Sequence, residues 1–298
     1  MNEVLTAAYQ KLTEDGPAEV GRATSRYLNK AYYNRTCGRA YNKRGTNIHG
    51  EDWDNLVILD ACRFDRFEAL CDLDGRLEHR ISRGSTSGEF IRGNFENHRA
   101  YDTVYLSDNP WYGRLHDELD SELYHFSFCP RDAFDGTVSK PSTVTAAAID
   151  YDREYPDKRL IVHYMQPHAP YFHINGEERY RWPTDEWGCD PGELRVAYDD
   201  NLRMVLSEVA ELLEALDGRT VITADHGELL GERLPPLPLR QFQHPGGIYV
   251  EELVKVPWFV VDDGERKDIV EADEPADWGY EEVREDVFEE QLEALGYI

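Results

Sequence analysis

Long apolar runs are missing from this sequence. None approaches the roughly 20 residues that a bilayer-spanning helix needs. Met1 to Lys30 mixes Glu, Lys, Asp and Arg among its Ala, Leu and Tyr, with no early apolar segment of signal-peptide type. The expectation is a soluble chain without an export signal. Basic charge is scarce as well: 32 Lys and Arg stand against 59 Asp and Glu, a formal net charge of -27. That balance repels a polyanion and excludes free nucleic acid as a partner. Cysteines are few and odd in number, at positions Cys37, Cys62, Cys71, Cys129 and Cys189, without metal-type spacing, which fits a reduced, cytoplasmic setting. No Cys-x-Pro-x-Arg exists anywhere, since Cys129-Pro130-Arg131 lacks the intervening residue.

What is abundant is acid, and it is dispersed from Asp52 to Glu293 without one dominant block. One reading is an acidic surface for a basic partner. The other, which dispersion favours, is a solvated shell suited to molar salt, where self-repulsion is screened, and hence a halophilic source. The one basic stretch, Arg22, Arg26, Lys30, Arg35, Arg39, Lys43 and Arg44, falls in residues 1–50. There, apolar positions Val4, Leu5, Ala8, Tyr9 and Leu12, then Val20, Ala23, Tyr27, Leu28, Ala31 and Tyr32, predict a helical arm of two helices broken at Gly16-Pro17. The arm either touches an anionic membrane or partner peripherally, or packs on its own acidic domain.

Residues 51–298 read as one α/β domain. Leu56 to Leu59, Tyr101 to Leu106, Leu160 to Tyr164 and Thr220 to Thr223 are short apolar runs of buried-strand type. Arg63 to Leu70, Val138 to Tyr151 and the amphipathic Glu193 to Leu216 predict helices between them, so the fold expected is a mostly parallel, doubly wound sheet flanked by helices. Two of these strands end in acid: Asp60 follows Leu59, and Asp225-His226-Gly227 follows Ala224. Ligands bind outside the carboxyl ends of strands in such sheets. Asp offers a hard oxygen and His a borderline nitrogen, suited to a divalent cation if the two strands are neighbours, while Gly227 allows a tight turn beside the ligand. The plain alternative is a turn after a strand. Gly84-Ser85-Thr86-Ser87-Gly88 brackets three hydroxyls before a predicted helix from Glu89, where they form an N-terminal cap, an anion site, or both. His168 sits on a stiff two-proline loop at the end of the Leu160 strand. His163, inside that strand, reads as structural, and His244 as a turn residue or a proton donor. Pro183 to Pro191 reads as a lid or substrate rim, and Val287 to Leu295 as a short final helix.

The order of Asp60-x-x-Arg63, the Gly84 to Gly88 hydroxyl loop, Gln166-Pro-His-Ala-Pro-Tyr171, Thr223-Ala-Asp-His-Gly-Glu228, Tyr249-Val-Glu-Glu-Leu-Val-Lys-Val-Pro257 and Leu295-Gly-Tyr-Ile298 resembles the sulfatase branch of the alkaline phosphatase superfamily. The resemblance implies a divalent cation (Ca, Mn, Mg or Zn) held by Asp60, Asp225, His226 and the oxygen of Thr86. It implies Thr86 as nucleophile, Arg63 bearing oxyanion charge, and His168 or His244 protonating the leaving group. Cys62 is not expected to act as nucleophile. Without Cys-x-Pro-x-Arg, a formylglycine mechanism is not expected. The function implied is therefore a metal-dependent hydrolase or transferase of phosphate mono- or diesters, small or carried on a glycan or lipid. A true sulfatase and a non-catalytic binding protein that keeps the fold are the alternatives.

The dispersed acid generates a first prediction. Lowering KCl from about 2 M to about 0.05 M unscreens the carboxylates, so the melting temperature followed by circular dichroism falls steeply. An unchanged melting temperature over that range contradicts the halophilic reading.

Overall fold

The computed structural model describes residues 40–129, 138–172, 178–180, 190–235 and 238–276, together with positions 21, 24, 27, 28, 31, 32, 288, 289, 292 and 293. Of the predicted arm, Gly21, Thr24, Tyr27, Leu28, Ala31 and Tyr32 are helical and exposed, and the rest of 1–39 lies outside the described residues. So do the predicted rim up to Cys189, the closing Leu295 to Ile298, Cys37 and Cys129's neighbours Pro130 and Arg131.

Strand β1 (Asn55–Leu59) is central because all five of its residues are apolar or pair inward. Leu56, Val57, Ile58 and Leu59 are each fully buried, worth about 1.5–3 kcal/mol apiece. Their side chains alternate between two core layers. Val57 and Leu59 meet Phe67 of helix α1 (Phe64–Leu70), Val144 and Ala148 of α4 (Pro141–Glu154) and the apolar face of α5 (Pro191–Leu213). Leu56 and Ile58 meet Phe90, Ile91 and Phe95 of α2 (Ser87–Phe95) and Tyr112, Leu115 and Leu119 of α3 (Trp111–Leu119). A strand covered on both faces has no place for a charge, so the first carboxylate, Asp60, comes where the chain leaves the sheet.

On one side β1 pairs in parallel with β5 (Arg159–Tyr164), on the other with β8 (Gly218–Thr223), Ile58 lying opposite Thr223. Among the described residues the sheet has seven strands. Beyond β5 lie β3 (Arg99–Ser107) and β4 (Glu122–Phe128), and beyond β8 lie β11 (Lys255–Asp263) and β2 (Arg76–Ile81). Only β11 runs against the rest. The architecture is thus the α/β, mostly parallel, doubly wound sheet expected from sequence.

The differences from the sequence reading have physical causes. β2 and β4 lie at the sheet edges: β2 is mostly polar and partly exposed, β4 mixes polar with apolar residues, and neither carries a continuous buried apolar run. The start of the acidic stretch, Asp262 and Asp263, is the end of β11 and is paired to Arg219 and Gly218. On either side of the proline-rich stretch, β9 (Leu229–Leu234) and β10 (Leu239–Gln243) pair as an antiparallel hairpin. A second small pair, β6 (Tyr171–Phe172) and β7 (Glu178–Tyr180), follows the His168 loop. Parallel β5 and β8, which flank α5 in the chain, are separated in the sheet by β1 rather than hydrogen-bonded to each other.

Candidate metal centre

Because β1 and β8 are parallel neighbours, Asp60 and Asp225 emerge side by side from the same sheet end. After Asp60 the backbone turns through Ala61 with φ 60°, and this aims the Ala61 N–H at Asp225 Oδ1, 3.0 Å away. The His226 N–H donates to the same oxygen at 2.8 Å. Asp60 Oδ2 accepts from Asn109 Nδ2 at 2.6 Å and, more loosely, from Ser87 Oγ at 3.5 Å. Each carboxylate therefore has one anchored oxygen and one bare one: Asp60 Oδ1 and Asp225 Oδ2 are buried without any hydrogen-bond partner. His226 Nδ1 donates to the Gly227 carbonyl at 2.8 Å, which leaves Nε2 as the lone-pair nitrogen. That atom lies 3.6 Å from Asp60 Oδ1 and 3.4 Å from Asp225 Oδ2. His163 joins them: its Nδ1 is 2.8 Å from the Tyr105 hydroxyl, while Nε2, buried and unpartnered, is 3.8 Å from Asp225 Oδ2.

A second set lies next to the first. The β9–β10 hairpin pairs Leu229 with Gln243, so Glu228 and His244, one residue outside each end, are brought together, and His244 Nδ1 is 2.9 Å from Glu228 Oε2. The other oxygen, Glu228 Oε1, is buried without a partner. His168 enters from the two-proline loop after β5, its Nδ1 donating to the Ala169 carbonyl and its backbone N–H to the Asp60 carbonyl at 3.1 Å. Ligand atoms of His168, Glu228 and His244 lie within 4.8 Å of one another, as do those of Asp60, His163 and Asp225. The His244 ring stands 4.4 Å from that of His226 and 5.0 Å from that of His168.

Burial governs the charges. It pushes Asp60 well above the usual carboxylate range, and the neighbouring Asp225 charge adds to this. Burial pushes Asp225 up too, but His226, His163 and the Ala61 N–H outweigh it and hold this carboxyl below its usual value. Glu228 is pushed up to about 8, again chiefly by burial. Among the imidazoles, burial brings His163 and His244 down to about 4, His168 well below its usual value, and His226 below it. At neutral pH all four rings are neutral, the form in which histidine ligates a metal.

The residues present fit divalent cations. Three dry carboxyls with one bare oxygen each, four neutral imidazoles, and ring N–H groups fixed on backbone carbonyls make a donor set with its outer support in place. Of the ligands expected from sequence, Asp60, Asp225 and His226 are brought together. The Thr86 hydroxyl accepts from the Glu89 N–H at 3.2 Å as the cap of α2, and Ser87 Oγ beside it lies 3.3 Å from His226 Nε2. Arg63 does not face the crevice with a free fork. Nε and Nη2 hold Asp65 at 2.8 and 3.0 Å, and Nη1 holds Glu232 and the Glu228 carbonyl at 2.5 and 3.0 Å. These contacts make it a strap under Glu228. His168 and His244 are neutral at neutral pH and grouped with Glu228. Cys62 is inert as expected, buried with its thiol pushed well up. Gly227 serves close approach more than turning, since a Cβ there would lie 2.1 Å from the Glu252 carbonyl oxygen. A cavity of about 260 Å³ opens beside Arg63, Phe64 and Lys255, and one of about 500 Å³ around Arg44, His79 and Tyr249.

Sequence reasoning did not single out Glu228 or Asn109, read His163 as structural, and took Ser87 only as one of three loop hydroxyls. Glu228 carried a signal, a third carboxylate three residues after Asp225. His163 carried a fainter one, an imidazole in an otherwise apolar strand one residue from its end.

No protein-family profile matches the chain, and no curated protein matches it. In fold it is similar to the C-terminal periplasmic domain of EcEptC from Escherichia coli, in complex with Zn (14% identity, 74% of this chain and 75% of that chain, TM-score 0.47). It is similar to the C-terminal periplasmic domain of phosphoethanolamine transferase EptC from Campylobacter jejuni (14%, 80% and 87%, 0.45). A third likeness is to a protein in the alkaline phosphatase superfamily from Vibrio parahaemolyticus (10%, 81% and 70%, 0.45).

The raised Glu228 carboxyl sets the pH dependence of metal binding. A carboxyl that ionises at about 8 in the folded chain instead of 4.5 must give up its proton to a cation throughout neutral pH. Affinity of one metal equivalent therefore rises with pH, by up to about tenfold per unit, and levels off above about pH 8. Without metal the same shift makes the fold lose stability as pH rises from the unfolded to the folded value, since the unfolded carboxyl ionises first. Calorimetric Zn2+ and Mn2+ titrations between about pH 6 and 9 check the first point and melting temperatures of the metal-free protein the second; an affinity or a stability indifferent to pH contradicts the corresponding point.

Proposed function

We propose that this chain is a metal-dependent phosphoester hydrolase or transferase of the sulfatase-like type, acting through the hydroxyl of Thr86. The observation that supports this most is the position of the α2 N-terminus, which starts at Thr86 and sets Ser87 against Asp60 and His226. A helix start with free N–H groups beside two donor sets suits a tetrahedral dianion.

Two hydroxyls compete for the role. Ser87 is fully buried and held between Asp60 Oδ2 and His226 Nε2, out of reach of a substrate. Thr86 is half-buried, and its methyl lies beside Gly246, where a Cβ would sit at ordinary contact distance, 3.6 Å. Its oxygen accepts the Glu89 N–H, so its own proton is free to leave. Cations bound by Asp60, Asp225, His226 and His163, and by His168, Glu228 and His244, would withdraw charge from the phosphoryl oxygens and make a nearby hydroxyl more acidic. The chain's own part is then plain. Asn109 and Ser87 orient Asp60, the Ala61 and His226 N–H groups orient Asp225, and Arg63 holds Glu228. Thr86 Oγ1 forms a bond to phosphorus as the ester oxygen departs with the electron pair and takes up, through water, the proton that Thr86 gives up, giving a phosphothreonine and an alcohol. Water or an acceptor alcohol reverses the exchange and frees Thr86.

Phosphate is preferred over sulfate because no cysteine stands where formylglycine would be made, and release from an unmodified threonine is far easier for a phosphoryl group. High salt and the cytoplasm are the setting we propose. The dispersed acid supports the first, and the free thiols of Cys62, Cys71 and Cys129 support the second.

The test compares variants on aryl phosphate mono- and diesters and sulfates with several divalent ions. Thr86→Ala loses turnover by about 10³-fold or more while keeping its metal. Ser87→Ala costs metal affinity, about tenfold, and recovers at excess metal. Mass spectrometry of the peptide spanning Ser82 to Arg92 shows unmodified residues in the resting protein. Wild-type turnover in Thr86→Ala overturns the assignment.

A further inference from the structure

Helix α5 carries two fully buried polar side chains, Tyr198 and Asn201, on a face otherwise made of Ala197, Leu202, Val205 and Val209. Three residues apart, they share that face, and each reaches a different ligand-bearing loop. The Tyr198 hydroxyl accepts the Arg63 N–H at 2.8 Å and donates to the Ala61 carbonyl at 2.7 Å, closing the turn that follows Asp60. Asn201 Oδ1 accepts the Phe172 N–H at 2.9 Å. Its Nδ2 faces the carbonyls of Pro167, His168 and Pro170 at 3.4, 3.1 and 3.0 Å.

The chemistry of these loops explains why they need a side chain from outside. The His168 loop has two prolines and so two fewer N–H groups, and its backbone is buried, which leaves carbonyls that no turn of its own can satisfy. The turn at Ala61 holds a non-glycine residue at positive φ, a conformation that persists only when its surroundings fix it. In both places a single α5 group supplies the missing partners. Tyr198 and Asn201, on a rigid helix, thereby hold the two loops in place beside the direct bond from the His168 N–H to the Asp60 carbonyl.

We infer that Tyr198 and Asn201 are positioning residues of the centre, Tyr198 for the Asp60 set and Asn201 for the His168 set. This rests on the metal reading above. A merely structural role predicts that removing either group lowers stability and weakens both metal equivalents alike. A positioning role predicts selectivity.

The experiment titrates the full chain with Zn2+ by calorimetry and with Co2+ by visible absorbance, with melting temperatures of the metal-free proteins alongside. Asn201→Ala weakens one of two equivalents by about 10–100-fold and leaves the other as in the wild type. Tyr198→Phe, which keeps the ring and its packing, weakens the opposite equivalent. Co2+ spectra change for the affected equivalent alone. Each variant combined with His168→Ala or Asp225→Ala identifies which set was lost. If Asn201→Ala does not fold, Tyr198→Phe decides by the same criterion. Equal loss at both equivalents, or no loss at either, overturns the inference with the metal reading intact. A wild type that binds no divalent cation overturns the metal reading itself, and the inference with it.

Discussion

Three carboxyls without water cannot stay charged together in one crevice. Asp60, Asp225 and Glu228 are each at most 1% exposed, and isolated buried carboxylates cost several kcal/mol each. The nearest guanidinium, Arg63, is taken up by Asp65 and Glu232. Protons or cations must therefore neutralise the site. Protons alone leave Asp60 Oδ1, Asp225 Oδ2, Glu228 Oε1 and His163 Nε2 without hydrogen-bond partners, whereas cations would take those four atoms as ligands.

The fold delivers these atoms with few devices. Parallel pairing of β1 with β8 places two strand-end aspartates together, and β5 on the other side of β1 adds His163 and the His168 loop. The β9–β10 hairpin closes Glu228 onto His244. Tight backbone contacts hold the frame: the Gly227 N–H donates to the Leu253 carbonyl at 2.8 Å, and the Ser82 hydroxyl to the Asp225 carbonyl. Thr86, the cap where α2 begins, is half-buried, while Ser87 next to it is fully buried.

The central strands were legible because burial on both faces writes continuous apolar runs, and an Asp after such a run marks a strand end. Asp60, Asp225 and His226 followed from that rule. Elsewhere local pattern and tertiary role diverge. Nothing in Ser85-Thr86-Ser87 tells which hydroxyl faces the aspartates, since that depends on the phase of α2. Arg63 reads as available in sequence and is consumed by Asp65, Glu232 and the Glu228 carbonyl. Glu228 and His244, 16 apart in sequence, meet through a hairpin whose proline-rich connection reads as loop. Tyr198 and Asn201 read as polar interruptions of an amphipathic helix, and only the folded chain shows the loops they hold.

Anomalous X-ray diffraction from crystals grown with Zn2+ or Mn2+, collected either side of the metal edge, tests the central claim most directly. Two peaks are expected, one among Asp60, His163, Asp225 and His226, the other among His168, Glu228 and His244, with donor distances of about 2.0–2.2 Å. No anomalous density at either set, at metal concentrations that saturate the protein in solution, contradicts the account.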